Sequence, residues 1–96
     1  MEEVDLEAFA REGRDVPKSG VVYRFKVGNK VCTWDQPTIT GREILERAGL
    51  TPYQQYQLNR KFRRGLVEPI AYDQVVDLTA HGLERFTYMK LDQTEG

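Results

Sequence analysis

Ninety-six residues, 40% hydrophobic and 30% charged with a formal net charge of −1, describe one small globular domain with a single modest core. No run approaches the roughly 18 apolar residues of a membrane span, and the acidic N-terminus does not read as a signal peptide, so a cytoplasmic protein is expected. Cys32 is the only cysteine, which excludes an internal disulfide and a cysteine metal cluster. Beside Trp34 in a predicted strand, it reads as a small core residue.

The near-neutral total hides an uneven distribution. Residues 1–19 carry six acids against three bases, residues 20–72 nine bases against four acids, and residues 73–96 five acids against two bases. A basic body between acidic ends steers charged partners but does not define a fold.

In chain order, Val4, Leu6, Phe9 and Ala10 lie among acids and predict a short amphipathic helix, which glycines and Pro17 then interrupt. Residues 1–19 therefore read as a flexible leader or as a docking arm that packs Leu6 and Phe9 on this domain or on a neighbouring copy. From Val21 to Val27 apolar residues alternate with Val22, Arg24 and Lys26, the period of a half-buried strand. Gly28-Asn29-Lys30 is turn chemistry, and Val31 to Trp34 completes a hairpin. Thr40 to Gly49 carries the strongest helix signals. Thr40 and Glu43 have capping-box spacing, Ile44, Leu45 and Ala48 make an apolar stripe, and Gly49 with Pro52 stops it.

Tyr56, Leu58 and Phe62 alternate along a further strand, with Arg60 breaking its apolar face. Leu66 to Tyr72 predicts a short strand with Pro69 at a sheet edge. Asp73 to Gly82 reads as irregular, anchored inward by Val75, Val76 and Leu78. Arg85 to Leu91 is the last strand, with Phe86 and Tyr88 in the core and residues 92–96 as a mobile tail. The whole predicts an α+β domain over residues 20–91, a mixed four- to five-stranded sheet packed on one main helix, with the last strand returning beside the first.

No catalytic constellation emerges, and the chain is not expected to be an enzyme or to hold a metal or cofactor. His81 sits in a turn without partners at ligand spacing. Gly28, Gly41 and Gly49 have local backbone explanations rather than forming a phosphate cradle. The run Arg60-Lys61-Phe62-Arg63-Arg64 has no aromatic ladder and an acidic overall balance against it. Its bases are better suited to a protein partner than to nucleic acid.

The layout of hairpin, capped helix, strand pair and final strand resembles that of ubiquitin. Tyr23-Arg-Phe-Lys-Val27, the helix start Thr40-Gly-Arg-Glu43, Glu68-Pro-Ile70, Val76-Asp-Leu-Thr79 and Leu83-Glu-Arg-Phe86 are together similar to the bacterial multiubiquitin family of ubiquitin-like β-grasp domains. The resemblance implies a protein modifier joined to a target protein through an isopeptide or similar bond at its C-terminal glycine, Gly96. Implied partners are homologues of activating enzyme, conjugating enzyme and metalloprotease deconjugase, with ATP used by the activating enzyme and not bound by this chain. Glycine suits a narrow activating channel because it has no side chain. Thr94 and Glu95, where ubiquitin has arginine and glycine, are the tail-recognition candidates and point to a dedicated enzyme with a basic groove. Lys18, Lys26, Lys30, Lys61 and Lys90 are candidate acceptors if chains form. The competing reading is a non-conjugated β-grasp module for protein–protein interaction or self-assembly that uses the N-terminal arm. A sulfur carrier would usually end in the diglycine that this chain lacks.

Overall fold

The computed structural model describes residues 1–91, and its first elements lie in the segment that reads as a flexible leader or a docking arm. A strand, β1 (Glu2–Asp5), runs directly into a helix, α1 (Leu6–Glu12). β1 pairs in parallel with β2 (Val21–Val27), placing Val4 opposite Tyr23 and Asp5 opposite Arg24. The Asp5 carboxylate accepts from the Glu7 and Ala8 amides, so one residue ends the strand and caps the helix. Gly13, at φ 67°, closes α1 with its amide turned back to the Phe9 and Ala10 carbonyls. Leu6 is only 1% exposed and packs in the domain's own core, and Phe9 is half-buried with the Arg14 guanidinium 4.0 Å over its ring. The flexible reading therefore gives way for residues 2–12, and Leu6 is not an anchor held out to a neighbour. The leader looked unstructured because β1 has one inward apolar residue, Val4, and its pairing partner lies far along the chain.

β2 follows the expected alternation: Val21, Tyr23, Phe25 and Val27 are buried, whereas Arg24 and Lys26 are exposed. It forms the predicted antiparallel hairpin with β3 (Lys30–Trp34), where Cys32 is buried opposite Phe25. Tyr23 is flanked by Trp34 of β3 on one side and Val4 of β1 on the other. The short strand β4 (Thr38–Thr40) leads into the main helix α2 (Gly41–Arg47), which is two turns rather than the three that the pattern suggests. Its capping box is complete: the Glu43 amide donates to Thr40 Oγ1 and the Thr40 amide donates to the Glu43 carboxylate. Ile44 and Leu45 are fully buried.

After a 3₁₀ turn at Tyr53–Gln55 come β5 (Tyr56–Phe62), β6 (Val67–Ile70), β7 (Val75–Asp77) and β8 (Leu83–Lys90). β8 is antiparallel to β5 and joins β2 in parallel at Val27 and Phe86, so the last strand does return beside the predicted first strand. Because β3 occupies one edge of β2, β1 and β8 share the other in succession. The main sheet has six strands, one or two more than expected, ordered β1-β2-β8-β5-β6 with β3 beside β2. β6 is an edge strand, which accommodates Pro69. β7 was expected to be irregular but pairs with β4 as a separate two-stranded sheet, Val76 opposite Ile39. That pairing turns Val76 fully inward and leaves Val75 65% exposed, so Val75 is not the predicted anchor. The core joins α2 to the sheet through Ile44, Leu45, Phe25, Leu58, Leu78 and Phe86.

Candidate functional site

Three places on this frame carry unusual chemistry. The first is the end of β8, where the Leu91 amide donates to the Gln55 carbonyl at 2.8 Å and fixes the point from which the chain continues. Met89 and Leu91 are 57% and 39% exposed there. Thr94, Glu95 and Gly96 lie outside the described residues.

The second is the basic run, which the structure divides. Arg60 is half-buried and directly opposite Glu68, with its guanidinium 2.8 Å from that carboxylate and 5.4 Å over the Phe62 ring. Lys61 instead meets Glu84 at 3.6 Å. Arg63 and Arg64 are exposed in the β5–β6 turn and form no ion pair among the described residues. Four bases adjacent in sequence thus become two internal pairs and two available cations. Strand alternation and a register irregularity at Lys61/Phe62 produce the split. Arg63, Arg64, Phe62 and Leu66 line a hollow of about 390 Å³, with Ala10 of α1 and His81 on its other walls. The His81 ring nitrogen lies 3.1 Å from the Asp15 carboxylate, at the surface.

The third has no clear signature in the sequence. Glu7 of α1 and Glu84 of β8 are buried carboxylates set among cations. Glu7 receives Arg11 at 2.6 Å, Arg85 at 3.1 Å and Lys26 at 3.2 Å, while Glu84 receives Arg11 at 3.4 Å. The i,i+4 spacing of Glu7 and Arg11 was a visible signal, but the partners from β2 and β8 were not. Burial pushes the Glu7 carboxyl up, but hydrogen bonds from Arg85 and Lys26 and the charges of Arg85 and Arg11 outweigh it. The group is held below its ordinary value of 4.5.

A carboxyl whose folded pKa lies below the unfolded one adds stability above the unfolded value, which is lost as pH falls through the folded one. Glu7→Gln is therefore expected to cost about 2 kcal/mol at neutral pH, since it leaves Arg85 and Lys26 poorly compensated. It should also flatten the acid limb of stability, measured by thermal melts between about pH 3 and 6. An unchanged acid limb would remove Glu7 from this role.

Among the described residues, no helix is long and apolar enough to cross a membrane, and no group of three His, Cys, Asp or Glu side chains is placed to hold a metal. What the fold does present is the capped helix α2 packed on a mixed sheet, with α1 as a second helix on the N-terminal side. A hairpin leads into α2, and the last strand returns in parallel beside the hairpin's first strand. That arrangement defines a ubiquitin-like β-grasp domain. A model of the multiubiquitin family matches residues 23–90, and the chain belongs to that family. Neither the curated proteins nor the solved structures contain a match to it. β1 and α1 lie outside the matched residues, on their N-terminal side.

Proposed function

We propose that this chain is a bacterial, cytoplasmic ubiquitin-like modifier, joined to a target protein through the carboxylate of Gly96. The observation that carries the reading is the multiubiquitin match, which runs to the end of β8. In the proposed reaction, the Gly96 carboxylate attacks the α-phosphorus of ATP and releases pyrophosphate. A nucleophile then attacks the acyl carbon of the resulting adenylate and takes the acyl group, releasing AMP. ATP belongs to the activating-enzyme homologue, and a conjugating-enzyme homologue passes the acyl group to the target. A metalloprotease homologue would reverse the bond. Thr94 and Glu95 give the enzyme a polar and an acidic contact just ahead of the reacting carboxylate, and the lack of a side chain at Gly96 favours a narrow channel.

The test is to incubate the full chain with its genetically neighbouring activating-enzyme homologue and ATP, then follow adducts at Gly96 by mass spectrometry. The intact chain is expected to form the adduct, and deletion of Glu95 and Gly96 to abolish it. An adduct that survives the deletion, or none with the intact chain, overturns the proposal. If chains form, Lys18, Lys30 and Lys90 are exposed acceptors without an ion pair among the described residues, whereas Lys26 and Lys61 are engaged with Glu7 and Glu84.

A further inference from the structure

The hollow at the β5–β6 turn combines features that the conjugation chemistry does not use. Phe62 and Leu66 give it an apolar lining, and Leu66 is 55% exposed, unlike the core leucines. Arg63 and Arg64 stand at its rim without a carboxylate partner among the described residues, and the nearby His81 is engaged with Asp15. An apolar surface beside two available cations suits a peptide that presents aliphatic side chains next to acids.

The chain itself contains such a segment. Met89 and Leu91 are exposed at the end of β8, two residues apart and so on one face of an extended chain, and Asp92 and Glu95 follow them. We propose that this segment of a second copy docks in the hollow, with Met89 and Leu91 against Phe62 and Leu66, and Asp92 and Glu95 facing Arg63 and Arg64.

Reach decides that the partner is another molecule. The hollow is lined by Gly82, immediately before β8, and Leu91 lies at the other end of that strand. Nine residues of extended chain separate them by about 30 Å, and the bond from the Leu91 amide to the Gln55 carbonyl holds that end in place. A molecule's own Met89 and Leu91 therefore cannot enter its own hollow. The contact joins two different surfaces, so two copies can exchange it reciprocally or it can propagate head to tail through further copies. Ala10 of α1 forms one wall, which places part of this surface in the extension outside the family match. The association is non-covalent and needs neither ATP nor an enzyme, so its failure is separable from failure of the conjugation reading.

Sedimentation velocity on the full chain, in a concentration series at low and high salt, tests it. The average mass is expected to rise with concentration at low salt and to fall back as salt screens the pairs. Arg63→Glu with Arg64→Glu, and separately Asp92→Lys with Glu95→Lys, should each weaken self-association by about tenfold or more. Mixing the two charge-reversed proteins should restore it, because each hollow then meets a complementary tail. Leu66→Ser, which leaves every charge in place, should weaken it as well. A chain that stays monomeric throughout, or a mixture that stays dissociated while circular dichroism shows both variants folded, overturns the proposal. So does association that is indifferent to the arginine reversals.

Discussion

Gly41→Ala is expected to destabilise the domain by about 3 kcal/mol, a loss of roughly 15 °C in Tm for a domain of this size. Gly41 opens α2 with an ordinary negative φ, so the constraint is contact rather than conformation. A Cβ there would collide with the Ala71 carbonyl oxygen and lie 3.0 Å from Ile70 Cγ2. The helix start cannot easily retreat, because the Gly41 amide donates to the Gln74 carbonyl at 3.1 Å and the Arg42 amide to the Tyr72 carbonyl at 2.8 Å. Relief requires breaking one of these bonds or moving the chain between β6 and β7. Gly49→Ala is the control, since that glycine has φ 77° but no atom within 4 Å of a built Cβ. Its cost should be about 1 kcal/mol, from the backbone alone. Urea unfolding of both variants checks the comparison, and a Gly41 variant no worse than the Gly49 one would refute the close-approach explanation.

Phe86→Ala should be costlier still, at about 4 kcal/mol. Phe86 is 0% exposed and stands opposite Val27 where β8 joins β2. Its ring meets Phe25 edge-on at 5.5 Å and 77°, and its carbonyl accepts from the Gly28 amide at 2.8 Å. Removing the ring leaves a cavity at the seam that closes the sheet, which rigid strands on both sides cannot fill. Tyr88, two residues on and half-buried against Tyr56, should tolerate truncation better. Denaturant midpoints at unchanged m-value would measure the difference, and a Phe86 cost below about 1 kcal/mol would contradict the packing described. Because β8 leads into the segment ending at Gly96, loosening this seam should also expose that segment's base to proteolysis.

The relation of sequence to structure is clear when single elements are followed. The β2–β3 hairpin, the capping box of Thr40 and Glu43, and the burial of Phe86 were all legible, as was the ubiquitin-like class. Gly41 was read as a glycine with a local backbone role, yet its reason is the carbonyl of Ala71, thirty residues away in the chain. Arg60 to Arg64 was read as one basic surface, but Glu68 and Glu84 take two of its members and leave Arg63 and Arg64 for the hollow. The proposed conjugation residues Thr94, Glu95 and Gly96 rest on family resemblance, since they lie outside the described residues.

By itself, the sequence determined whatever is written in short repeats: strand alternation at every second residue, a helix stripe, a cap three residues from its partner, and a turn marked by Gly28 and Asn29. These are interactions between near neighbours, so their pattern survives in one dimension. Only the tertiary structure decided that Glu2 to Asp5 is a strand, that β4 pairs with β7, and that Glu7 sits among Lys26, Arg85 and Arg11. Each depends on groups that approach only after the chain folds. A three- or four-residue strand has too few side chains to announce a partner, and a buried carboxylate is stable only where distant cations converge on it.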